Sequence, residues 1–161
     1  MEERCIALKL LLDALSVPSQ IETVADRKRV QKAVYLMQLT GLDLGYQYGW
    51  YLMGPYSPGL TRDYYDLAES LGEGDDEHKN VTLRAPVLDS LKRITPLLTV
   101  PRAVPLEQPA WLELVASVHY LQKVRGLNTG AADEALKVSK PTLAPWIPPA
   151  RQQLEACALL P

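Results

Sequence analysis

Few side chains in this chain stand where their types and spacing would let them do chemistry together. Cys5 and Cys157 lie near opposite ends, without a histidine close by or a paired spacing. Neither a thiolate nucleophile nor a zinc or redox motif is indicated. His119 stands beside Tyr120 with no second ligand at helical spacing, which predicts a hydrogen-bonding role rather than a metal ligand or a base. His78 falls in an acidic loop. Carboxylates cluster only in the acidic run and at Asp133-Glu134, with nothing in the sequence to raise a pKa for acid catalysis. The run also lacks the alternating oxygen ligands and closing glutamate of a calcium loop. No Gly-rich phosphate loop is present, since Gly72-Glu73-Gly74 opens no strand-to-helix turn. The expectation is a chain that is not an enzyme and needs no cofactor and no metal.

What the sequence offers instead is material for recognition. Gly54-Pro55-Tyr56-Ser57-Pro58 joins a glycine that tolerates positive φ to two prolines that fix theirs, so the corner it forms is stiff. Around it stand Trp50, Tyr51, Tyr56, Tyr64 and Tyr65, ring types that give large contact area with few rotors to freeze. Residues 63 to 77 carry seven acids, Asp63, Asp66, Glu69, Glu73, Asp75, Asp76 and Glu77, and no base. Setting them aside turns the net −2 of the chain into +5 on the rest. Asp75, Asp76 and Glu77 therefore edge a candidate partner surface that would steer a basic protein. Arg27, Lys28, Arg29 and Lys32 form a basic face expected to meet water, with Lys32 or Arg29 within reach of Asp63 or Asp66.

These residues need elements to hold them. Ile6, Leu8, Leu11, Leu12 and Leu15 predict a first helix from Glu2 to Ser16, stopped by Pro18. Asp26 is placed as N-cap of a second helix, Arg27 to Leu39, whose stripe is Val30, Val34 and Met37. Tyr46 to Met53 is aromatic-rich, bounded by Gly45 and Gly54-Pro55, and predicts one strand. Ser57 as N-cap and Pro58 at N1 start a third helix that ends at Gly72. Val81 and Leu83 alternate with polar residues and predict a second strand, pairing with the first as a small β-wing. A fourth helix from Pro86 to about Leu98, interrupted at Pro96, leads to a Pro-rich connector at 99–109. The strongest helix follows from Pro109 to Gly126, with Trp111, Leu114, Val115, Val118 and Leu121 on one face. Shorter helices lie at Ala131 to Lys137 and Pro149 to Leu159.

Arg29-Val30-Gln31-Lys32-Ala33-Val34-Tyr35-Leu36, the stretch from Tyr48 to Ser57 with its Gly54-Pro55 corner, and the helical Leu60 to Leu67 together resemble the Panacea domain, the SocA-like antitoxin domain. Gln31, Lys32, Tyr35, Gly54, Pro55 and Ser57 are the motif positions. Gly-Pro-Tyr-Ser after the strand is similar to the uncharacterised YwgA-type branch. The resemblance implies a small, mostly helical domain with no known catalysis that neutralises a neighbouring toxin by direct contact. Here Tyr56-Ser57 and a longer C-terminal third depart from the better-known antitoxins.

Composition agrees with a folded body: 47% hydrophobic and 22% charged residues over 161 positions, enough for one domain with a real core. Phenylalanine is absent, so three Trp and eight Tyr supply the aromatic volume. The fold class expected is mainly α with a small antiparallel β-hairpin, one domain over 1–161, its Panacea-like part at 1–98 and a helical part at 110–161. A charge of −2 disfavours a general polyanion binder. No stretch reaches 18 apolar residues and the start is acidic, so neither membrane nor secretion is expected, and the unpaired cysteines point to a reducing cytoplasm. The expected partner is a protein, a toxin or a defence-system subunit. Duplex nucleic acid is the second class, through a winged-helix-like arrangement, disfavoured by Asp63 and Asp66 on the candidate recognition helix.

Overall fold

The computed structural model describes residues 1–161. The chain is 61% helical, with eight helices and one two-stranded antiparallel sheet. Helix α1 (Glu3–Ala14) buries Cys5, Leu8, Leu11 and Leu12. Helix α2 (Val24–Gln38) begins earlier than Asp26 predicts. Thr23 is its N-cap, accepting from the Asp26 N–H, while the Asp26 carboxylate accepts from the Thr23 N–H. That reciprocal box satisfies two backbone donors, which Asp26 alone as cap would not do.

The sheet differs from the expected wing. Strands β1 (Gly49–Tyr51) and β2 (Gly54–Tyr56) pair directly, in the register Gly49 to Tyr56, Trp50 to Pro55 and Tyr51 to Gly54. The chain thus reverses at Leu52-Met53, and Gly54-Pro55-Tyr56 is a return strand rather than the turn. Both strands are edges, so the missing N–H of Pro55 costs no ladder bond on its open side. Val81 to Leu83 forms no strand. Its alternation is satisfied by laying the half-buried Leu83 against the core while Val81 stays exposed.

Helix α3 (Pro58–Gly72) starts as predicted, with Pro58 at N1 and the Ser57 hydroxyl accepting from the Leu60 N–H. Helices α4 (Ala85–Lys92) and α5 (Thr95–Leu98) are the two parts of the interrupted fourth helix. The connector is held down rather than free: Val104 is buried, and Gln108 donates to the Leu98 carbonyl. Helix α6 (Gln108–His119) continues into one π-helical turn at Tyr120–Val124. Helices α7 (Thr129–Ser139) and α8 (Ile147–Ala156) close the chain.

Helix α6 is not amphipathic in its setting. Every residue from Trp111 to Leu121 is buried, so the predicted single apolar face is in fact a helix covered all round by α2, α5, α7, α8 and β2. Trp111 satisfies its indole N–H on the Leu97 carbonyl at 2.8 Å. One hydrophobic cluster of 38 buried residues runs from Cys5 to Leu160 and spans both sides of the 99–109 connector. No helix is long and apolar enough to cross a membrane.

Candidate functional site

The motif positions of α2 converge on the hairpin. Gln31 is buried, donates its amide to the Ser57 carbonyl at 2.9 Å and accepts from the Ser57 N–H at 2.9 Å. The same amide donates to Thr61 Oγ1, which also shares a hydrogen bond with the Tyr56 hydroxyl. Lys32, the next residue of the helix, donates to the Pro55 carbonyl. On the far side Lys140 donates to the Leu52 carbonyl at 3.0 Å. Two buried lysines and a glutamine therefore clamp the backbone of a sheet that three-residue strands alone would not hold.

Glycine is required at the corner. Gly54 has φ +86°, and a Cβ there would lie 2.4 Å from Ser117 Oγ on α6. The sheet can seat against α6 only because that side chain is missing. Tyr35 hydrogen-bonds His119 Nδ1 at 2.7 Å and packs edge-on to Tyr48, while Trp50 lies tilted over Tyr120 with ring centroids 5.7 Å apart. Burial pushes the His119 pKa down to about 4, so the ring is neutral at pH 7 and serves structure, as its isolation in the sequence predicts.

The expected solvent-facing basic patch is mostly something else. Lys32 is only 1% exposed and makes no ion pair with Asp63 or Asp66. Asp63 instead takes Arg4 at 3.0 Å and the Tyr46 hydroxyl at 2.6 Å, and Arg29 pairs with Asp26. Lys28 and Lys140 both pair with Glu113, at 2.9 and 2.6 Å, and Glu113 is itself buried. Beneath the hairpin, three lysines thus gather around one carboxylate, which pairs with only two of them. Burial, with Lys140 and Lys28 adding repulsion and Glu113 opposing them, pushes the Lys32 pKa down to about 7.

A groove of about 360 Å³ opens beside this clamp, between α2, the hairpin tip and α3. Arg27, Lys28 and Lys32 line it together with Gln31 and Thr61, and no carboxylate does. Its remaining walls are Val24, Tyr51, Leu52, Met53, Tyr56, Tyr64 and Tyr65. Leu52 is 95% exposed, Tyr51 50% and Tyr65 49%. A second groove of about 480 Å³ runs along α1 past Leu10 and Tyr46, with Arg4 as its one cation.

Comparison of the chain with protein-family models, with curated proteins and with solved structures gives no match.

The expected partner-binding residues therefore separate into three groups. Tyr51, Tyr56 and Tyr65 meet at the groove. Tyr64 lines the same groove but is only 2% exposed, and Trp50 is half-buried against Tyr120 with Lys140 Nζ 5.5 Å from its ring centroid, so neither ring stands free at the surface. Asp75, Asp76 and Glu77 lie elsewhere, where Asp75 and Glu77 reach the Met1 amino group at 2.7 and 3.2 Å. The structure does not bring that acidic segment to the groove lining. Sequence reasoning missed Glu113, Lys140 and Ser117. A lone acid inside Trp111-Leu112-Glu113-Leu114-Val115 is the signal that a buried cation waits opposite.

Proposed function

We propose that this chain is a non-enzymatic protein-interaction module, an antitoxin-like or regulatory subunit of a bacterial or phage toxin–antitoxin or defence locus, which grips a protein partner with its hairpin tip and the adjoining groove. One observation carries this reading: of the nine large hydrophobic residues left exposed, five, namely Val24, Tyr51, Leu52, Met53 and Tyr65, line this single groove. Scattered exposed apolar residues need no explanation, whereas a contiguous set rimmed by polar groups marks an interaction surface. The rigid clamp below lets that surface bind without first being ordered, which lowers the entropic cost of association. The resemblance of the Gln31 to Tyr35 helix and the Gly54-Pro55 corner to the Panacea domain supports the choice of a toxin or defence subunit as partner.

The test is recovery of the partner from the native cell on tagged protein. A Tyr51→Ser/Leu52→Ser double variant is expected to lose it, while Val138→Ser, at an exposed apolar position outside the groove, keeps it. Equal recovery by both variants removes the hairpin surface. Retention on duplex DNA that falls steeply with salt would replace the protein partner by a nucleic acid.

A further inference from the structure

The cations of the groove are in excess, and their surplus has a direction. Lys28, Lys32 and Lys140 face Glu113 as the only carboxylate in their cluster. Lys28 and Lys140 take its two oxygens, so Lys32 is left with one acceptor, the neutral carbonyl of Pro55, for three N–H donors. A desolvated ammonium without a counter-charge is costly, and evolution removes such groups easily by substitution to methionine or leucine. Lys32 also lines the groove, next to Lys28 and Arg27, with no acid on any wall.

We infer that the groove is a receptor for an acidic side chain of the partner: an Asp or Glu carboxylate enters beside Lys28 and Lys32 while apolar residues flanking it in the same segment lie on Tyr51, Leu52 and Tyr65. This rests on the reading of the hairpin surface as a partner grip and specifies its chemistry. A peptide segment fits better than a small anion, because Leu52, Tyr51 and Tyr65 rise above the groove and stay uncovered by anything that merely fills it. The depressed pKa of Lys32 accords with a site whose charge is completed from outside. Of the groups around it, Lys28 and Lys140 repel its charge, Glu113 attracts it, and the hairpin contributes the Pro55 carbonyl.

The test pans a random twelve-residue peptide library against the full chain and measures the enriched peptides on wild type, Lys32→Met, Lys28→Met and Leu52→Ser. Enriched peptides are expected to carry Asp or Glu beside apolar residues. Lys32→Met and Lys28→Met each weaken them about tenfold or more, as loss of a charge-assisted contact does. Lys28→Met leaves the Lys32 to Pro55 bond intact, so it stands if Lys32→Met unfolds. Peptides without acids, or acidic peptides indifferent to both lysine variants, overturn the inference; if those peptides still depend on Leu52, the grip itself survives. Displacement of acidic peptides by millimolar inorganic phosphate at constant ionic strength would reassign the site to a free anion and overturn it too. Absence of any enriched peptide overturns both.

Discussion

Gln31 and Ser57 hold each other by two hydrogen bonds of 2.9 Å, one in each direction, across 26 residues of chain. Through that pair a helix fixes the start of the next helix and the end of a hairpin at once.

Replacing Gln31 by alanine leaves the buried Ser57 N–H without its partner and takes one donor from the Ser57 carbonyl, which keeps the Thr61 N–H and hydroxyl. The expected loss is about 1–3 kcal/mol, the cost of one unsatisfied buried donor. Urea unfolding measures it, and amide exchange of residues 49–57 should quicken more than that of α6.

Gly54→Ala meets two obstacles, a left-handed φ and Ser117 Oγ at 2.4 Å. The first costs about 1–2 kcal/mol and the second about 1–3 kcal/mol. Ser117 Oγ has no hydrogen-bond partner, so Ser117→Ala alone should be nearly neutral. In the double variant the steric part disappears and the φ penalty remains. A double-mutant cycle with a coupling below about 0.5 kcal/mol would contradict the close seating of hairpin on α6.

Lys32 gives a pH signature. Its folded pKa lies near 7, below the ordinary lysine value of 10.5, so between these the unfolded chain binds a proton that the folded one does not. Stability therefore rises with pH in that window, by roughly 1.4 kcal/mol per unit from this group. The charged groups that face it are Lys28, Lys140 and Glu113. Lys32→Met should lose this rise, so the stability of the variant minus that of wild type should fall from pH 7 to pH 10. A constant difference would mean that Lys32 is not desolvated as described.

Local chemistry was legible in the sequence where it is local in the fold. Ser57 and Pro58 announced the start of α3 because capping depends on neighbours in sequence. The wing from Tyr46–Met53 and Val81–Leu83 was misplaced because strands of three residues carry almost no periodicity. Lys32 was assigned to water on the ordinary prior for lysine. That prior fails here because α2 is wedged between α6 and the hairpin, so even positions off the Val30, Val34, Met37 stripe are covered. The glycine and the tyrosines were singled out, but Gly54-Pro55-Tyr56 is a strand and not the turn; the cluster of Lys32, Lys140 and Glu113 was missed, since its members lie 27 to 108 positions apart.

The most direct test places a photo-crosslinking amino acid at Leu52, 95% exposed at the hairpin tip, and a control at Val138, 81% exposed outside the groove. Neither substitution should shift stability by more than about 0.5 kcal/mol. Irradiated in the native cell, position 52 should yield one discrete protein adduct and position 138 none. An adduct from 138 alone, or none from 52 while the partner still co-purifies, would contradict a grip centred on the hairpin.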